Sequence, residues 1–146
     1  MARLSLISAA MEILVNIDVA QLEQAIEFYQ KALDLRLGRR LFENTVAEML
    51  GASSPIYLMA KGSGTSPSVY TSQLREYRRH WTPVHLDFVV QDLKSAVEKA
   101  VTAGAKLEGE LQTFPWGYLA TMSDPFGHGL CLVQWIGQGY DEVASA

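Results

Sequence analysis

The chain has 146 residues, 49% hydrophobic and 19% charged, with a formal net charge of −4. That length and balance fit one domain, or two small modules sharing a core, and exclude a disordered or low-complexity chain. The mild acidity leaves no electrostatic footprint for nucleic acid, no apolar run is long enough to span a bilayer, and the single cysteine, Cys131, excludes an intrachain disulfide and any cysteine-based metal spacing. A cytosolic location fits: Met1 to Ala10 is mildly apolar with one Arg and lacks the long apolar core and cleavage pattern of a secretory leader.

Glu12 to Val19 is β-branched and apolar and predicts a strand. From Gln21 to Leu33, the apolar residues Leu22, Ala25, Ile26, Tyr29 and Leu33 recur at helical spacing. Leu35 to Phe42, Thr45 to Leu50 and Ile56 to Ala60 predict three short strands, broken at Glu43–Asn44 and from Gly51 to Pro55. The stretch from Lys61 to Pro83 opens with Gly, Ser and Pro and ends basic and aromatic. Its first part predicts a linker or loop, and Leu74 to His80 a helical turn. Arg75, Arg78 and Arg79 are interleaved with Glu76, which favours a solvated loop or a subunit contact over a phosphate track. Val84 to Val90 predicts a strand, and Leu93 to Ala103 a helix ended by Gly104 at a C-cap position. Lys106 to Phe114, Gly117 to Ser123 and Gly129 to Trp135 predict three more strands, and the polar tail from Gly137 predicts a frayed end.

The order is strand–helix–three strands, twice. Val19, Leu22, Ala25 and Glu27 recur as Val90, Leu93, Ala96 and Glu98 at the same spacing. A repeated unit that cannot bury both faces of its strands pairs with its copy. The expected fold is therefore α+β: two tandem βαβββ modules forming a curved mixed sheet with helices outside. The first module spans 1–61, a linker 62–83, the second module 84–136 and a tail 137–146, in one compact domain. The groove between modules is the natural ligand site.

Phe28–Tyr29 closes the first helix, and Asp124–Pro125–Phe126–Gly127–His128 precedes the last strand. With the duplication, these resemble the vicinal oxygen chelate superfamily. That superfamily includes glyoxalase I, extradiol dioxygenases, fosfomycin-resistance enzymes and bleomycin-resistance binding proteins, and the resemblance covers nearly the whole chain. The turn also makes sense by itself: Pro125 presets one corner, Gly127 accepts a strained φ, and Asp124 can bond the turn's backbone. Those residues identify the fold rather than perform chemistry.

The resemblance implies one divalent cation held by ligands from the first and last strands of each module. Its first-strand positions fall on Leu14 and His85, of which only His85 can ligate. The last-strand positions fall on Tyr57, or Leu58 in a shifted register, and on Cys131, where the enzymes carry Glu. Three or four converging ligands are needed, so no cofactor is favoured. A divalent metal remains possible, anchored by His85 if at all, with Glu48, Asp87 or His128 as further donors. His128 is expected to face solvent beside the turn, and Cys131 to be a packing residue.

Without a metal, the groove recognises its ligand by shape and aromatics. The candidate ligand-binding residues are Asn16, Tyr57, His85, Asp87, Trp116, Tyr118, Met122 and Cys131. By resemblance, Trp116 in Pro115–Trp116–Gly117 walls a drug cleft; read from packing alone, it plugs the end of the core. The expected function is binding of a small aromatic or drug-like molecule by a homodimeric protein with no nucleic-acid or membrane partner. The alternative is a metal-dependent lyase, isomerase or dioxygenase with an altered ligand set.

Overall fold

The computed structural model describes residues 11–145. The leader reading of the first ten residues and the last residue of the tail lie outside them. Strands β1 (Val15–Val19), β2 (Arg36–Leu41), β3 (Val46–Leu50) and β4 (Ile56–Ala60) form a sheet of order β1-β4-β3-β2. Helix α1 (Leu22–Leu33) connects β1 to β2. The unit then repeats: β5 (Leu86–Val89), α2 (Leu93–Ala103), β6 (Lys106–Leu107), β7 (Gln112–Phe114), β8 (Gly117–Ser123) and β9 (Gly129–Trp135) form a sheet of order β5-β9-β8-β6, with β7 also on β8. In each module the first and last strands pair in parallel and the other neighbours are antiparallel. This is the expected α+β architecture of two βαβββ modules. No helix among the described residues is long and apolar enough to cross a membrane.

The helices follow from their sequence. In α2, the Asp92 side chain accepts the Ser95 N–H at 3.3 Å and satisfies one orphan donor of the first turn. Gly104 closes α2 at φ 120°, where a Cβ would be strained. Helix α1 has no side-chain cap and ends on Asp34 in the left-handed region. It is held by burial instead, through Ala25, Ile26, Phe28, Tyr29 and Ala32. The two helices pack on each other and each on its own sheet, so one core runs through both modules. Ile17, Val19, Met49 and Leu58 join it from the first sheet, and Ala120, Met122, Leu130 and Leu132 from the second. Strand alternation turns the intervening residues to the opposite, more polar face.

Three expectations change. The strand expected over 106–114 breaks into β6 and β7, because Gly109 takes φ 88° between them. Residues 74–80 form no helical turn. They run as an extended strap whose backbone bonds go outward: His80 N–H donates to Gly127 O at 2.9 Å and Gly129 N–H to His80 O at 2.8 Å. The tail contains a 3-10 turn, Gly139–Val143, whose Tyr140 ring packs on Trp135 and Trp116. The strap arginines are all matched by carboxylates: Arg75 by Asp18, Arg78 by Glu76 and Arg79 by Glu108.

Candidate functional site

The strap runs across the seam between β1 and β5. Beneath it lies a cavity of about 750 Å³. Its apolar lining comes from Ile17, Leu86, Phe88 and Leu130, and its polar lining includes Asn16 and His85. The chain's three histidines, His80, His85 and His128, all line it. Strap contacts fix its roof: Arg75 Nε donates to Asp18 at 2.7 Å and Tyr77 OH to Lys61 O at 2.7 Å. Trp81 lies flat over Gly129, where any Cβ would occupy the space of the indole, and meets the His85 ring edge-on at 5.2 Å between centroids.

One polar cluster lies on the second sheet. His85 Nε2 is 3.2 Å from Asp87 Oδ1, and Asp87 pairs in register with Cys131 across β5 and β9. Donor atoms of His85, Asp87 and Cys131 all lie within 4.8 Å of one another. Imidazole nitrogen, carboxylate oxygen and sulfur suit a borderline cation such as Zn²⁺. The donor set therefore fits a metal in kind, although all three donors belong to one module. Burial, reinforced by the neighbouring Asp87 charge, pushes the Cys131 thiol up to about 11, so ligation requires it to lose a proton.

The first sheet carries a different cluster. Glu48 is 6% exposed yet charged, because the Arg39 guanidinium grips both carboxylate oxygens, at 3.0 and 2.6 Å, and Tyr57 OH adds a bond at 3.1 Å. The Arg39 hydrogen bonds hold the Glu48 carboxyl at about 2 against its burial. Gly38 makes room for it, since a Cβ there would lie 2.7 Å from Glu48 Oε1. Glu48 is thus committed and not open as a metal donor.

The structure brings His85, Asp87 and Cys131 together, and places Asn16 and His85 on the cavity. Tyr57 belongs to the Glu48 cluster. Trp116 stacks on Phe114 at 5.1 Å and 3° and touches Trp135 and Tyr140. Tyr57, Asp87, Trp116, Tyr118, Met122 and Cys131 do not line the cavity. Alternation along β8 explains two of these: Tyr118, Ala120 and Met122 share the core-side face, with Met122 fully buried and Tyr118 at the exposed end of the strand.

A network that the residue types did not reveal joins α1 to the last turn. Asp124 Oδ2 accepts Tyr29 OH at 2.7 Å and pairs with His128 Nδ1 at 2.7 Å. Asp124 Oδ1 accepts the Phe126 and His128 N–H groups at 2.8 and 2.9 Å. His128, expected to face solvent, is instead pinned on the cavity wall with a side chain 20% exposed. Burial alone would raise the Asp124 carboxyl; the His128 and Tyr29 bonds outweigh it and hold it below the usual range. Tyr29 is pushed well above the usual phenol range by burial and the Asp124 charge. The sequence signal was present in Phe28–Tyr29 and in the Asp124 turn, but their pairing spans 95 residues.

Residues 14–133 match the model of the glyoxalase-like domain. The fosfomycin resistance protein FosX from Listeria monocytogenes is similar in fold, with a TM-score of 0.69 at 16% identity, covering 92% of this chain and 98% of that one. TioX from Micromonospora sp. ML1 aligns with a TM-score of 0.66 at 15% identity, over 87% of this chain and 100% of its own. A member of the glyoxalase/bleomycin resistance protein/dioxygenase superfamily from Sphaerobacter thermophilus aligns with a TM-score of 0.65 at 20% identity, over 87% and 98%. No curated protein sequence matches the chain. With a domain match across both modules and the same fold in these structures, the chain belongs to the glyoxalase-like family.

Proposed function

We propose that this protein binds a small aromatic or drug-like molecule in the cavity between its modules, by shape, ring contacts and hydrogen bonds, with no metal required. The observation that carries this reading is the cavity of about 750 Å³, a size that suits a drug-like ligand. Its floor is apolar, while Tyr77, His80 and His128 supply ring faces and edges at its rim. Asn16 and His85 offer side-chain polar contacts. The test is calorimetric titration with two named probes, 1-anilinonaphthalene-8-sulfonate and bleomycin, on wild type and Asn16→Arg. Asn16 is exposed on the cavity wall, so Arg fills the space without touching the core. Saturable binding lost in Asn16→Arg supports the reading. Binding of neither probe, or equal binding by both proteins, refutes it.

We also propose that the protein is a homodimer. Among the described residues β1 pairs only with β4 and β5 only with β9, leaving open edges on both strands. Ile13, Leu14, Val84 and Val89 lie exposed beside those edges. Light scattering of the purified protein decides between monomer and dimer.

A second reading, a metal-dependent lyase, isomerase or dioxygenase, is favoured by the His85–Asp87–Cys131 cluster. Those three residues would hold the cation, which would supply Lewis-acid polarisation of a substrate oxygen. One equivalent of metal retained through purification and lost in His85→Ala moves this reading to first place.

A further inference from the structure

We propose that the ligand of the cavity is a neutral aromatic hydroxyl compound, a phenol or naphthol, whose O–H donates to Nε2 of His128. This inference rests on the ligand reading above and narrows it.

The fixed donors around the cavity are already committed. Arg75 donates to Asp18, Thr65 Oγ1 and Ser66 O. Arg79 donates to both Glu108 oxygens, to His80 O and to Gly127 O. Tyr77 OH donates to Lys61 O, and Tyr29 OH to Asp124. Arg78 is paired with Glu76, and its side chain stands 82% exposed in solvent. Asn16 and Thr82 serve in either sense, as donor or acceptor.

The acceptors are left over. His128 Nδ1 lies 2.7 Å from the buried, ionised Asp124 carboxylate and donates to it, so the ring keeps its lone pair at Nε2. His80 Nδ1 lies 3.1 Å from Arg78 O, an atom that only accepts, which gives that ring the same tautomer. Neither Nε2 has a partner among the described residues. No buried side-chain nitrogen or oxygen among those residues is left unpaired, so His128 Nε2 reaches solvent space, and its ring lines the cavity. Both assignments hold with the rings as they stand, edge to face at 5.1 Å between centroids.

A ligand must therefore bring the proton. A cation would meet Arg78 and Arg79 beside His80, and an anion would meet the imidazole lone pairs. A neutral hydroxyl meets neither objection. A phenol, with a pKa of about 10, donates more strongly than an aliphatic alcohol. Its ring suits the apolar lining of Ile17, Phe88 and Leu130.

The experiment is equilibrium dialysis at pH 8 with 2-naphthol and 2-methoxynaphthalene, read by the probes' own fluorescence, on wild type, His128→Asn and Asn16→Arg. The probes share one ring system and differ in the O–H, and a cavity of about 750 Å³ has room for the added methyl. His128→Asn keeps a donor towards Asp124 and removes Nε2. Wild type should bind the naphthol at least roughly tenfold more tightly than the ether, and His128→Asn should lose most of that preference. The wild-type comparison decides by itself if His128→Asn fails to fold. Equal binding of the two probes by wild type, or an undiminished preference in His128→Asn, overturns the proposal; loss of both probes in Asn16→Arg then leaves the cavity reading standing. Binding of neither probe also overturns the proposal, and the titrations with 1-anilinonaphthalene-8-sulfonate and bleomycin then decide the cavity reading separately. Naphthol bound equally by wild type and Asn16→Arg overturns both.

Discussion

Asp124 offers the sharpest test of what holds the two modules together. Its carboxylate is fully buried and accepts from Tyr29 OH, His128 Nδ1 and two backbone N–H groups. Asp124→Ala leaves a half-buried imidazole, a buried phenol and two amides without their acceptor. Removing one partner from a buried charged network costs about 3–5 kcal/mol. At about 2–4 °C per kcal/mol for a chain of this size, Tm falls by roughly 6–20 °C. Tyr29→Phe removes a single bond to the same carboxylate and should cost about 1.5–3 kcal/mol. The pH dependence follows from the depressed Asp124 carboxyl. Its stabilisation is complete above the unfolded value of about 3.9 and fades as pH falls through the lower native value. The gap between wild type and Asp124→Ala is therefore full at neutral pH and narrows below about pH 4. Urea melts at a series of pH values measure both effects. A neutral-pH gap under about 1 kcal/mol would be too small for a buried charged network and would refute the argument.

Four further outcomes follow from named contacts. Gly129→Ala displaces the Trp81 indole, which should shift the emission that Trp81→Phe removes; an unchanged spectrum contradicts the packing. Met122→Ala, at a fully buried core position, should cost about 2–5 kcal/mol, whereas Tyr118→Ala, 39% exposed on the same strand face, should cost well under half of that; thermal melts of the two variants compare them. Cys131, buried and with its thiol pushed up to about 11, should react with iodoacetamide far more slowly in the native protein than in urea at pH 7.5, as mass spectrometry will show. Glu48→Gln should lose stability at neutral pH relative to wild type. Because the Glu48 carboxyl is held at about 2, that difference should shrink as pH falls from about 4.5 towards 2 in acid titrations followed by circular dichroism.

The fold was legible because two periodicities and a repeat agreed. Leu22, Ala25, Ile26 and Tyr29 mark a helix by spacing alone, and the same pattern recurs at Leu93 after an equivalent strand. The failures have a common cause: segments whose bonding partners are remote in sequence. Leu74 to His80 has nothing in its own composition to say that His80 will bond Gly127 and Gly129, and those distant bonds keep it extended. The tail looks polar, yet Tyr140 is ordered by the rings of Trp116 and Trp135. Gly109 inside an apparent strand was the one local cue to the break between β6 and β7.

The site was legible where local alternation or duplicated register sufficed. His85 and Asp87 lie two residues apart on one strand, so they share a face, and Cys131 follows from the parallel pairing of first and last strands. Side-chain direction on β8 was not legible, because a one-residue choice of register exchanges Tyr118 and Met122 for Leu119 and Thr121. Set side by side, the modules have diverged on their polar faces. The first spends its buried acid on Arg39 and Tyr57, a closed ion pair with no donor left over. The second keeps a half-exposed imidazole and carboxylate, at 43% and 38% side-chain exposure, beside a protonated thiol. The strap carries His80 and is tied to the second module through His80, Arg79 and Trp81. Groups able to exchange protons or bind a ligand are therefore concentrated in the second module and its strap, while the first module supplies the opposite wall through Asn16 and Asp18. On the proposed ligand-binding reading, a substitution that alters ligand chemistry should fall on the second module, and one that alters ligand size on β1.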